Sequence, residues 1–132
     1  MGQSGTLVLD SEGLSKVVAS DRQVMAVIRG AEEEDMRVVA SILTLIEAHH
    51  QRVNVPRFKW AISRITVEPV SDEIGRSAMT LLADAGLHGH KYAIDAVVAA
   101  TALRAQPPVV VLTSDPEDLS MLCGDRIRII KV

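Results

Sequence analysis

Val109-Val110-Val111-Leu112-Thr113-Ser114-Asp115-Pro116 is the stretch that decides the fold. Four apolar residues with no polar alternation describe a strand covered on both faces, which is the environment of a parallel sheet. Gln106-Pro107-Pro108 ends whatever precedes that strand. Asp115-Pro116-Glu117-Asp118 has the form of a helix start, with a capping acid and proline in the first turn. Near the N-terminus, Thr6-Leu7-Val8-Leu9 reads as a second buried strand, again followed by acid, Asp10-Ser11-Glu12, that opens a helix.

The rest of the chain alternates in the same way. Leu14, Val17 and Val18 lie at helical spacing. Ser20-Asp21 starts a further helix, with Val24, Ile28 and Ala31 on one face, to about Glu34. Met36 to Ala40 is a strand, and Ser41 caps a helix through Ile42, Leu45, Ile46 and His49. Asn54-Val55-Pro56 opens a helix carrying Phe58, Ala61, Ile62 and Ile65. Ile65 to Val70 adds a short strand ended by Pro69. Ser71-Asp72-Glu73 begins a helix through Ile74, Ala78, Leu81, Leu82 and Ala85, which Gly86 stops. Leu87 to Lys91 reads as a polar loop, Ala93 to Ala105 as a central helix that is apolar nearly all round, and Ile127 to Val132 as a closing strand. Strands alternating with helices predict a three-layer α/β/α sandwich with a mostly parallel sheet, as one domain over residues 1–132 with 1–5 as a flexible leader. Ligands of such sheets bind beyond the carboxyl ends of the strands. Asp10 and Asp115 stand there.

Composition narrows the function. The 132 residues suffice for one core, and 48% are hydrophobic, which excludes a disordered chain. Aromatics are 2%, only Phe58, Trp60 and Tyr92, so the core is aliphatic and base stacking is not the main mode of recognition. The formal net charge of −3 lacks the basic footprint of a protein that coats nucleic acid. Cys123, the one cysteine, rules out an internal disulfide, fits a cytoplasmic setting and reads as a packing residue. No apolar run is long enough to span a membrane, and the N-terminus lacks the features of a secretory signal.

Four acids sit in or just beyond core-forming segments: Asp10, Glu47, Asp95 and Asp115. Each has a plain structural reading. Asp10 and Asp115 are good helix caps, worth roughly 1 kcal/mol each. Glu47 can point outward with a small change of register. Asp95, followed by Ala96-Val97-Val98-Ala99-Ala100, is harder to dismiss, and a cap on a buried helix is its simplest role. Together they point to a shared pocket, because clustered carboxylates repel unless a cation relieves them. Mg²⁺ or Mn²⁺ suits such oxygen donors.

The segments Leu7-Val8-Leu9-Asp10-Ser11, Leu45-Ile46-Glu47, Asp95 to Leu103 and Leu112 to Leu119 resemble the motifs of PIN-domain proteins, and most closely those of VapC-type toxins from bacterial toxin–antitoxin pairs. Order and spacing agree over essentially the whole chain. Glu12 stands where many members carry aspartate. The resemblance implies a parallel α/β/α sandwich and a metal-dependent endoribonuclease. It makes Asp10, Glu47, Asp95 and Asp115 the acids that bind Mg²⁺ or Mn²⁺, with Asp118 as an auxiliary acid and Thr113 and Ser114 as orienting residues. It further implies an RNA substrate, a homodimer and a cognate antitoxin.

Other residues carry weaker signals. His88 and His90 read as a solvated loop, or with Lys91 as a rim contacting RNA phosphate. No spacing completes a zinc site. Arg52, Arg57, Lys59 and Arg64 read as a solvated helix face, with an RNA backbone rim as the alternative. Glu32-Glu33-Glu34-Asp35 is a surface acid run, and His49 and His50 close a helix. The rival functions are a non-catalytic PIN-like module that binds RNA or protein, and an α/β phosphate enzyme of the haloacid-dehalogenase or receiver type. The dehalogenase pattern wants aspartate where Glu12 stands, and a receiver wants a strand-end lysine earlier than Lys131.

Overall fold

In the computed structural model, which describes residues 5–132, the elements run β1 (Thr6–Leu9), α1 (Ser11–Val18), α2 (Arg22–Glu33), β2 (Arg37–Ser41), α3 (Ile42–Ala48), α4 (Val55–Ser63), β3 (Thr66–Glu68), α5 (Asp72–Ala85), α6 (Gly89–Leu103), β4 (Val109–Thr113), α7 (Pro116–Cys123) and β5 (Arg128–Lys131). The five strands form one sheet in the order β3-β2-β1-β4-β5, and every pairing is parallel. Helices cover both faces, so the fold is the expected three-layer PIN-like sandwich.

Alternation within each strand divides the core in two. Val8, Val39 and Val111 face α5, α6 and α7, packing with Ala96, Ala99, Leu119 and Leu122. Leu7, Leu9, Val38, Ala40 and Leu112 face α1, α2 and α4, packing with Leu14, Val24 and Phe58. Because both faces are buried, these strands have no polar positions to alternate, which is the uniform pattern seen at Val109 to Leu112. Leu43 joins the first cluster and Leu45 with Ala48 the second, so α3 lies along the seam between them.

Several expectations are corrected. The helix thought to begin at Ala93 begins at Gly89, so His90 and Lys91 lie in its first turn and Asp95 lies well inside it; Asp95 is therefore no cap. Ile65 falls beyond α4, and the strand that follows is three residues long. Residues 1–4 of the expected leader lie outside the described residues. Gly5 is part of the fold: it is buried, its carbonyl accepts from Arg37 N at 3.0 Å, and its φ of +115° leaves no room for a side chain, since a Cβ would meet Pro108 O at 2.7 Å. The basic cluster is not simply a solvated face. Arg57 donates to Val18 O at 3.1 Å, Val17 O at 3.4 Å and the Ser20 hydroxyl, and lies 4.3 Å over the Trp60 ring. Arg64 lies 5.4 Å from that ring, while Arg52 and Lys59 are exposed. Cys123 is fully buried, as expected of a packing residue. Among the described residues no helix is long and apolar enough to cross a membrane.

Candidate metal and nuclease site

The carboxyl end of β1 passes directly into α1, and Asp10 occupies the junction. Its backbone N–H donates to Leu112 O at 3.1 Å, which locks it beside β4. Its side chain caps α1 by accepting from Gly13 N at 2.8 Å. The Thr113 hydroxyl also hydrogen-bonds the Asp10 carboxylate and accepts from Asp115 N at 2.9 Å, tying the ends of the two central strands together. Burial pushes the Asp10 pKa up against these hydrogen bonds, which pull it down, and the net direction is up. Gly13 suits this close approach. A Cβ would come within 3.2 Å of Leu112 O and 3.4 Å of Leu112 Cβ, so any larger residue would press α1 against β4.

Asp115 follows β4 at the first position before α7. Its side chain makes no cap bond, contrary to its simplest reading, and is exposed. Instead it lies close enough to the Asp118 carboxyl, one turn into α7, to raise the Asp118 pKa. The Asp118 pKa is raised first by burial and then by Asp115, while Lys91 from the first turn of α6 opposes the shift.

Asp95 is where the acids meet. It is half-buried on α6, and its pKa is pushed from 3.8 to about 6, first by burial and then by the charges of Asp118, Glu47, Asp115 and Asp10. Five acids from four separate elements therefore share one electrostatic neighbourhood beyond the carboxyl ends of β1, β2 and β4. Glu47 is exposed on α3 and takes part through its charge. Ser114 is exposed and makes no contribution comparable to that of Thr113. His88 and His90 are exposed, with His88 at the cap position of α6 making no cap bond.

The donor set consists of carboxylate oxygens, which suits a hard divalent ion. Among the described residues, no three histidine, cysteine, aspartate or glutamate side chains converge tightly enough to hold a metal by themselves. Mg²⁺ commonly keeps several waters and takes only one or two carboxylates, so the spread of these acids is compatible with it. Two sizeable cavities lie elsewhere. One of about 460 Å³ is lined by Arg76, Ser77, Arg104 and Arg126, another of about 450 Å³ by His50, Arg52, Asn54 and Arg57, and neither includes any of the five acids.

Sequence reasoning missed two residues on the elements that carry these acids. Gly13 has no motif signal apart from standing three positions after Asp10. Thr44, one turn before Glu47, is fully buried, and its Oγ1 is a buried side-chain oxygen with no hydrogen-bond partner. Only packing reveals it.

No protein-family model matches the sequence, and no curated protein matches it significantly. Solved structures do match. A chain of VapBC2 from Rickettsia felis, solved bound to a DNA fragment from their promoter, superposes with a TM-score of 0.74 at 12% identity, covering 96% of this chain and 98% of that one. A chain of FitAB, solved bound to an IR36 DNA fragment, gives 0.66 at 19% identity, covering 96% and 94%. At these identities the likeness is one of fold, and it extends over nearly the whole of each chain.

Proposed function

We propose that this chain, whose PIN-like fold is that of VapC-type proteins, is a metal-dependent endoribonuclease and the toxin of a type II toxin–antitoxin pair. The observation that carries the reading is Asp95, half-buried and facing four other carboxyls with a pKa pushed up to about 6. So much like charge, drawn from four elements to the ligand-binding end of a parallel sheet, is what a bound divalent cation would relieve.

Asp10, Asp95, Glu47 and Asp115 would hold one or two Mg²⁺ or Mn²⁺ ions. Bound there, a divalent ion supplies Lewis-acid chemistry, acidifying water and offsetting the charge of a phosphodiester under in-line attack. The protein's own part is positioning. Gly13 N–H and the Thr113 hydroxyl hold the Asp10 carboxylate in one orientation. Asp118, whose pKa is raised by burial and by Asp115 beside it, is placed to serve as an auxiliary acid. Lys91 beside Asp118 brings the positive charge that a phosphate requires. Glu47 and Asp115 are exposed, and an open acidic site of this kind admits a polymer, whereas an enclosed cavity would select a small molecule. An antitoxin would inhibit by placing basic side chains against the same acids. Exposed Ile42 and Ile46 on α3, the latter next to Glu47, support a homodimer in which two such sites lie near each other.

The wide spacing of the acids favours one second reading, a non-catalytic PIN-like module that binds RNA or protein. Cleavage of a mixed RNA pool with Mn²⁺, Mg²⁺ or EDTA, running wild type beside Asp95→Asn, separates the two. The nuclease reading expects cutting that needs metal and is lost in the variant. Metal-independent cutting that persists in the variant would refute it.

A further inference from the structure

Five hydroxyl side chains are buried in the described part of the fold, and four of them are used. The Thr6 hydroxyl donates to Gln106 O at 2.9 Å, and that of Thr101 to Val97 O at 2.8 Å. Ser41 Oγ accepts from Leu43 N at 3.2 Å, and Thr113 Oγ1 from Asp115 N at 2.9 Å. Thr44 is the exception, with 0% exposure and no partner. A helical threonine ordinarily donates to the carbonyl four residues back, as Thr101 and Thr80 do. Thr44 has no such outlet. It stands in the first turn of α3, and the residue four back is Ala40 in β2, where carbonyls serve the sheet.

The orphan stands on a helix that packs between elements carrying the acids. Val8 of β1 is in register with Val39 of β2, so the strand ends at Asp10 and Ser41 are level, and Thr44 follows three residues later. α3 packs against both α1, which Asp10 caps, and α6, which carries Asp95. On α3 itself Thr44 lies one turn before Glu47. Asp10 has its own donors in Gly13 N–H and Thr113. Asp95 faces burial and four like charges, all opposing its ionised form. A buried hydroxyl is rarely left unpaired, and a role in positioning a neighbouring functional group is one reason for it.

We infer that Thr44 is a positioning residue of the acidic site, its hydroxyl donating to the Asp95 carboxylate when that group turns to a divalent cation. The donor is thus built into the packing of α3 against α6 before any ion arrives. Outer hydrogen-bond partners of this kind fix ligand orientation, and losing one typically weakens metal binding about 10- to 100-fold.

This rests on the metal reading proposed above, and the test separates the two. Mn²⁺ affinity is measured by electron paramagnetic resonance and calorimetry on the whole protein, without RNA, for wild type, Thr44→Val, Thr44→Ala and Thr44→Ser. Thr44→Val and Thr44→Ala are expected to bind Mn²⁺ at least tenfold more weakly, while Thr44→Ser stays within about threefold of wild type. In EDTA, Thr44→Val should melt no lower than wild type, because an isosteric apolar group replaces an unpaired hydroxyl. A folded Thr44→Val or Thr44→Ala that binds Mn²⁺ as tightly as wild type would overturn the inference and leave the metal site standing. Wild type without Mn²⁺ affinity would overturn both.

Discussion

Replacing Asp95 by asparagine should make the metal-free protein more stable at neutral pH, although it removes the central acid of the proposed site. The Asp95 pKa is pushed from 3.8 to about 6 in the fold. Between those values the unfolded chain has released a proton that the folded chain still holds. The folded state therefore binds more protons, and stability falls as pH rises through this window. About 2 pH units at about 1.4 kcal/mol each set a ceiling of about 3 kcal/mol. Asp95 is only half-buried, and solvent screening reduces this to about 1–2 kcal/mol. For a domain of this size that is about 4–8 °C in Tm. Thermal melts followed by circular dichroism in EDTA, wild type beside Asp95→Asn, should show a gap near zero at about pH 4, where a protonated acid resembles an amide. The gap should widen to about pH 6 and stay level above it, with the variant the more stable. Mn²⁺ at pH 7.5 should reverse the order, because a ligand at a hundred times its Kd adds about 2.7 kcal/mol to the native state that binds it. A variant that melts below wild type in EDTA at pH 7.5, or a gap that does not change with pH, would refute the claim that like charge and burial load this residue.

Gly13→Ala should destabilise the fold by about 1 kcal/mol in urea titrations despite the better helix propensity of alanine, because the 3.2 Å approach to Leu112 O is to strand backbone that cannot retreat. Arg57→Ala removes the bonds that hold Val17 O, Val18 O and Ser20, together with the stack on Trp60; a loss of about 2 kcal/mol and a red shift in emission from Trp60, the sole tryptophan, are expected. The Cys123 thiol, buried and pushed up to about 11, should resist alkylation at pH 8 in the folded protein and react at once in denaturant, as mass spectrometry would show.

Strands and caps were the most legible parts of this chain. β1 and β4 follow from unbroken apolar runs, and Asp10, Asp21, Ser41, Asn54 and Ser71 cap their helices by the side-chain bonds their residue types imply. The start of α6 was not legible, because His88-Gly89-His90-Lys91 has the composition of a loop. It is helical in the fold, where Gly89 lies against Leu82 and α6 packs along α5. That early start places Asp95 well inside the helix, facing the other acids.

By itself the sequence determined the layers, the parallel sheet and the strand-end positions of Asp10 and Asp115, since hydrophobic period and capping chemistry act over a few residues. It also marked all five acids of the proposed site. Only the tertiary structure decided what those acids do to one another. Asp115 makes no cap bond and raises the Asp118 pKa, Asp95 meets charges from three other elements, and Thr44 is left without a partner. These depend on how α3, α6 and α7 pack, and electrostatic and hydrogen-bond deficits between elements distant in sequence arise only once that packing has brought them together.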